Sequence, residues 1–250
     1  MSTIKDVVQD VVKMTASLGI FSFVKVDGDD ENTKFAAIDA DQTVIVNAKL
    51  HESVADLKGN FGFGNLAFLS GICGLRGYKE DGAKVEVLQR ERNGVNEPEA
   101  LQFSDEFGNN DRYRLMNEVQ VRSAFVEMEF NGVSEWDVVF EPTKQKVGEL
   151  QEIAGIYGGI EPNFAIKTDG SDLIVTVGDS GGSYTGKRTF ATGVKGSMPE
   201  GFTWPLSQFL NILKLGMTAQ CTVRVSSLGV IMVNIDTGVA EYEYLLPAFS

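Results

Sequence analysis

Residues 57–74 read LKGNFGFGNLAFLSGICG. Gly62, Gly64 and Ala67 stand there in the spacing G-x-G-x-x-A, the opening of a dinucleotide-binding turn. That chemistry needs a buried parallel strand directly before the glycines and a ribose-binding acid roughly 20 residues later, within a βαβ unit. The preceding HESVADLKGN is polar, and the segments that follow alternate like antiparallel strands. The other reading is that the glycines permit close packing and an irregular start to a helix. Leu57, Phe61, Leu66, Leu69 and Ile72 fall at helical intervals, and Gly74 and Gly77 end the run, so the pattern predicts a structural helix within 57–76.

Working outward, residues 3–17 set Ile4, Val7, Val8, Val11, Val12 and Met14 close to the i, i+3, i+4, i+7 pattern, which makes one helix face apolar before Gly19 stops it. IFSFVKV and TKFAAIDADQTVIVNAKL alternate as antiparallel strands around the acidic turn DGDDEN. After the queried stretch, KVEVLQRE, EALQFSD and RYRLM read as strands joined by the polar turns RNGVNEPE and FGNND. Residues 141–158 repeat the helical pattern, with Pro142 in the first turn and Val147, Leu150, Ile153 and Ala154 on one face. Strands broken by Asp-Gly and Gly-Gly turns follow, then a short helix bearing Leu206, Phe209, Leu210 and Leu213, then closing strands. Each half therefore runs helix, strands, helix, strands. The order predicts an α+β chain of two similar domains, 1–130 and 131–250, joined near Asn117 to Glu135.

At 250 residues and 43% hydrophobic content the chain can bury real cores. No apolar run reaches the roughly 18–20 residues of a membrane span, and residues 1–19 lack a signal-peptide core, so a cytoplasmic protein is expected, in the host cytoplasm if the source is viral. Cys73 and Cys221 lie far apart in apolar surroundings and read as small core residues. His51 ends an alternating run and reads as a solvated strand-end residue, which leaves no Ser-His-Asp or histidine-based zinc site in view. Residues 181–189, GGSYTGKRT, carry the G-x-x-x-x-G-K of a phosphate loop, but Arg188 stands where Ser or Thr must reach Mg2+. A hairpin tip explains those glycines. Asp27, Asp29, Asp30 and Glu31 lack EF-hand spacing and read as a solvated turn. No cofactor, metal site or catalytic group is expected, so the chain is read as a non-enzyme.

A net charge of −13 argues against a simple basic nucleic-acid binder. The distribution is uneven, however. Four helical segments, 3–17, 57–76, 143–154 and 205–216, carry net charges of 0, +2, 0 and +1, so the remainder of the chain holds −16. Solvated basic helix ends would give the same arithmetic.

In this order, four stretches resemble a DNA polymerase sliding clamp of the kind found in T-even-type bacteriophages and in the eukaryotic proliferating cell nuclear antigen. AAIDADQTVIVNAKL (36–50) is similar to a clamp strand pair, and LKGNFGFGNLAFLSGI (57–72) to the second helix of the first domain with its lead-in. SQFLNILKLG (207–216) resembles the corresponding helix of the second domain, and AEYEYLLPAF (240–249) the terminal strand with its Tyr-Leu-x-Pro ending. The resemblance runs over nearly the whole chain. It implies a DNA-clamp (processivity) fold, and a homotrimer closing into a ring with helices facing the hole and sheets outside. The ring would encircle double-stranded DNA without reading sequence and tether DNA polymerase and clamp loader.

Lys5, Lys13, Lys58, Arg76, Lys144, Lys146 and Lys214, on the segments matched to hole-lining helices, are then the expected DNA-facing set. Ile38, Val44, Tyr244, Leu245, Leu246 and Pro247, with Phe249 beside them, are the expected partner-peptide pocket. Residues 88–135 are longer and more polar than a compact clamp suggests. A viral structural or assembly protein of oligomeric type, and a nucleotide-dependent enzyme, are the competing readings.

Overall fold

The computed structural model describes residues 2–92, 94–125, 133, 135–178 and 184–249, with Arg92 described by its backbone alone. Two compact units emerge. The first comprises Met1–Ala40, Val46–Met128 and Thr237–Tyr242; the second comprises Asp41–Ile45, Glu129–Asp236 and Glu243–Ser250. The expected boundary at 130/131 lies outside the described residues.

In the first unit, α1 (Ile4–Thr15) is followed by β1 (Phe23–Gly28), β2 (Thr33–Ile38), β3 (Ile45–Leu50) and β4 (Gly59–Gly64). Then come α2 (Leu66–Gly74), α3 (Arg76–Lys79), β5 (Lys84–Arg92), β6 (Val95–Ser104), β7 (Asn110–Arg114) and α4 (Glu118–Ala124). The second unit runs β8 (Val138–Phe140), α5 (Lys144–Tyr157), β9 (Asn163–Asp169), β10 (Asp172–Gly178), β11 (Thr185–Ala191) and β12 (Thr203–Pro205). It ends with α6 (Leu206–Gly216), β13 (Gln220–Ser226), β14 (Val230–Asp236) and β15 (Ala240–Pro247), of which Ala240–Tyr242 belong to the first unit and Glu243 onward to the second.

The duplication read from the order of elements is present in the pairing. Strands β4-β1-β2-β3 lie in that order in the first unit, and β12-β9-β10-β11 in the second, so first pairs with fourth and second follows first in both. The three later strands of each unit, β5-β6-β7 and β13-β14-β15, also pair in sequence, with β8 added beside β13. Even the exits match. Two residues past β7, Met116 bridges back to Gly62 of β4; two residues past β15, Phe249 bridges back to Thr203 of β12.

Helix α1 begins with Thr3, whose hydroxyl accepts from the Asp6 amide while the Asp6 carboxylate accepts from the Thr3 backbone and hydroxyl, a reciprocal capping box. Those bonds hold the Asp6 carboxyl below its usual range. Val7, Val8, Val11, Val12 and Met14 are buried, as their spacing predicts. Each such side chain contributes on the order of 1.5–3 kcal/mol through removal from water. Asp10, on the same helix, accepts from the Tyr242 and Thr237 hydroxyls at 2.8 and 3.0 Å, which ties α1 to the start of β15. Helix α1 packs on α2, and α5 packs on α6. In the second unit Phe164, Trp204, Phe209 and Phe190 form a continuous aromatic core beneath α6.

The queried glycines do not sit in a helix. Residues 59–64 form β4, antiparallel to β1, and only from Leu66 does the chain become helical, after Asn65 takes a left-handed conformation at φ 47°. Phe61 and Phe63 alternate into the core, so the stretch follows period 2 where the apolar spacing suggested 3.6. A Cβ at Gly62 would lie 3.0 Å from the Val121 side chain, and one at Gly64 would lie 2.9 Å from Met116 Sδ. These glycines serve the close approach of α4 and its lead-in, and the antiparallel pairing removes the βαβ context a nucleotide turn requires. Gly62→Val should therefore destabilise the protein by about 1–3 kcal/mol through overpacking, read as a lower denaturation midpoint at unchanged slope. An unchanged midpoint would mean that α4 does not pack there.

Two further readings are refined. RNGVNEPE is mostly strand, since β6 begins at Val95; Pro98 sits opposite Gln89 where the ladder with β5 shifts register, a place where a missing N–H is tolerated. Pro142 lies just outside α5, which is capped by the Thr143 hydroxyl accepting from the Lys146 amide.

Candidate nucleic-acid face and partner pocket

Helices α1, α2, α5 and α6 carry 0, 0, 0 and +1, and α3 carries +2 from Arg76 and Lys79, so the remaining chain again holds −16. The helix carboxylates are largely engaged within the fold: Asp6 caps α1, Asp10 takes the Tyr242 and Thr237 hydroxyls, and Glu149 accepts from Lys146 and Gln145. Those last bonds lower the Glu149 carboxyl.

The seven expected cations differ in circumstance. Lys13, Lys144 and Lys214 are exposed on α1, α5 and α6. The Arg76 side chain is 97% exposed and lies 3.9 Å from Glu80. Lys5 is half-buried and donates to the Glu80 carbonyl at 2.5 Å, and Lys146 is held by Glu149 at 2.7 Å. Lys58 is not on a helix: it precedes β4 and pairs with Asp30 on the β1–β2 turn at 2.7 Å. The structure adds Lys79, exposed in the short helix α3 that the sequence reading ended at Gly77. Gly74 and Gly77, read as the end of the helical run, hid it.

At the C-terminal end, β15 buries most of what was expected to line a pocket. Val44, Tyr244 and Leu246 are fully buried and Leu245 nearly so, whereas Ile38 and Pro247 are half-buried and Phe249 is 42% exposed. The end of the chain is fastened by two backbone bonds, Ala248 N–H to the Gly229 carbonyl at 2.7 Å and Phe249 N–H to the Thr203 carbonyl at 2.9 Å. Within the second unit Pro247 and Phe249 stay accessible at this end, and so does Leu228, beside the Gly229 that holds Ala248.

The remaining motifs resolve as ordinary structure. Lys187 and Arg188 of the phosphate-loop lookalike lie in β11, paired antiparallel with β10; residues 181–183 are outside the described set. Asp29 accepts from the Glu31 and Asn32 amides, which folds the acidic turn on itself. His51 is exposed after β3, its backbone amide donating to the Val239 carbonyl. Burial pushes the thiols of Cys73 and Cys221 up to about 11 and about 12, which keeps both protonated. Among the described residues there is no cluster of three or more His, Cys, Asp or Glu able to hold a metal, and no helix is long and apolar enough to cross a membrane.

Solved structures with this architecture are known. A chain in the complex of A. fulgidus PCNA with the C-terminal region of FEN-1 superposes with a TM-score of 0.68 at 12% identity, covering 99% of this chain and 97% of that one. PCNA from Thermococcus kodakaraensis gives 0.68 at 11% identity, covering 96% and 95%. No protein-family model and no curated protein matches the chain. At such identity the likeness is one of fold, and it extends end to end: the chain has the α+β architecture of the PCNA clamp.

Proposed function

We propose that the protein is a DNA polymerase processivity factor: three copies close into a ring that encircles duplex DNA and tethers polymerase and other replication proteins, as in T-even-type phage clamps. The observation that carries it is the end-to-end match of a duplicated chain to PCNA.

Two surfaces support closure. Strand β7 is the edge of its sheet and lies beside α2, where Phe68 is 54% exposed and stacks over Tyr113 of β7. Strand β11 is the edge of its own sheet and packs against α5, where Ile156 is 68% exposed. Edge strands flanked by exposed apolar side chains invite pairing. Because the two surfaces are unlike, the contact is head-to-tail, and it must close to avoid a filament. Inside such a ring Lys13, Arg76, Lys79, Lys144 and Lys214 meet phosphates directly or through water, with no base contacts, so the ring slides. Tethering raises the local concentration of polymerase at the primer end without any chemistry. The partner's peptide docks on Pro247 and Phe249, over the buried support of Tyr244 and Leu246. Its place of action is the cytoplasm.

Topology supplies the test. Loaded onto nicked circular DNA by the cognate loader, the protein should stay bound through gel filtration and be released when the circle is linearised. Equal loss from circle and line would rule out encirclement and favour an oligomeric assembly protein.

A further inference from the structure

The two units differ in what covers one face of their equivalent sheets. In the first unit Lys25 of β1 pairs with Gly62 of β4 and with Ala36 of β2, and the chain leaving the Met116 bridge turns over that row. Helix α4, with its own capping box from Asn117 and Gln120, seats Val121 on Gly62. Phe125 then meets Phe23 edge-on at 6.1 Å and lies 5.1 Å beneath the Lys25 ammonium.

In the second unit, Thr203 holds the place of Gly62, Ala165 that of Lys25 and Thr176 that of Ala36, as the matching registers and the Phe249 bridge establish. The row extends through Lys187 of β11. Here nothing among the described residues lies over it. Instead there is an open trough of about 560 Å3, floored by Ala165, Thr176 and Thr203 and walled by Phe202, Lys187 and the Lys167–Glu200 ion pair. The opposite faces of these strands carry Phe164, Ile166, Val175 and Trp204 into the core, so the floor is rigidly backed.

Charge says what fits. Lys167 donates to Glu200 and also feels Asp169 at the end of β9, outside the trough, while Lys187 lies close enough to help lower the Glu200 carboxyl, so within the trough lining two ammonium groups face one carboxylate. Glu200 belongs to an exposed loop, its side chain 73% accessible, and it occupies the place an incoming carboxylate would take. A surplus cation and a half-buried aromatic, on a chain of net charge −13, complement a segment bearing both an acid and an apolar or aromatic side chain.

We propose that this trough binds a short helical peptide segment of a partner protein, acidic and aromatic-bearing, laid across β12-β9-β10 as α4 and Phe125 are laid across β4-β1-β2. Thr203 in place of Gly62 keeps the occupant farther out at β12, and Ala165 in place of Lys25 gives its aromatic ring room at the centre. The assignment is independent of ring closure, DNA and the Pro247–Phe249 end.

The test uses the full chain and two fluorescent peptides by polarisation at low salt. One is the sequence of residues 116–125, MNEVQVRSAF; the other is the same peptide carrying Arg122→Glu. The acidic peptide should bind saturably and at least tenfold tighter than its parent. Ala165→Trp, which fills the trough, should abolish that binding, and Lys187→Glu, on an exposed strand position, should reverse the preference between the peptides. Should Ala165→Trp fail to fold, Lys187→Glu decides alone. Absence of saturable binding, or affinities unchanged in these variants, overturns the proposal. So does a change of solution mass in Ala165→Trp, which would show that a second copy of the chain occupies the trough.

Discussion

Reversing Lys13, Arg76, Lys144 and Lys214 together to Glu is expected to shorten residence on nicked circular DNA by roughly tenfold or more at physiological salt, because each lost phosphate contact removes about 0.9 from the slope of log affinity against log salt. These four are the expected cations that lie exposed on helices; Lys58 is exposed as well, but off the helices. As an internal control, Lys58→Glu should change residence little, since Lys58 sits off the helices and already answers Asp30. The reversed protein should keep the assembly state of the wild type. Unchanged residence and an unchanged salt slope would place the DNA contacts elsewhere.

The second large effect is on folding. Tyr244 is fully buried in β15, so Tyr244→Ala should cost about 3–5 kcal/mol through lost burial and a cavity, enough to unfold much of a marginally stable domain. Pro247→Ala and Phe249→Ala remove accessible side chains and should leave the denaturation midpoint nearly in place while weakening a polymerase C-terminal peptide at least tenfold. A stable Tyr244→Ala protein that loses only peptide binding would show that Tyr244 faces the groove. Full affinity in the Pro247→Ala, Phe249→Ala double variant would move the pocket away from the chain's end.

What could be read ahead of the structure was what repeats. The Val7, Val8, Val11, Val12 face of α1 and the Leu206, Phe209, Leu210, Leu213 face of α6 are buried as their periodicity requires. The helix–strands–helix–strands order anticipated the matching strand pairings of the two units. Residues 57–64 were misread because Leu57, Phe61 and Leu66 happen to suit a helical period, while the decisive pair, Phe61 and Phe63, spans too few residues to declare period 2. The role of Gly62 and Gly64 depends on Met116 and Val121, more than 50 positions away, and no local pattern carries that contact. The same limit applies to the cations. Lys58 finds Asp30 across 28 positions and Lys5 finds the Glu80 carbonyl across 75, so net helix charge was legible but the accessible part of it was not. For β15, the resemblance of residues 240–249 to a terminal clamp strand marked a strand, yet Leu245 is buried as well as Tyr244 on the opposite face, and burial on both faces leaves less of the expected pocket open.

Closure into a ring is the point on which the functional account stands, and solution mass tests it most directly. Light scattering on the purified chain across micromolar concentrations should return three times the 27.2 kDa of one copy, and Thr189→Pro in edge strand β11 should return one copy by breaking the strand's outward pairing. A wild-type mass of 27.2 kDa at every concentration would contradict the account.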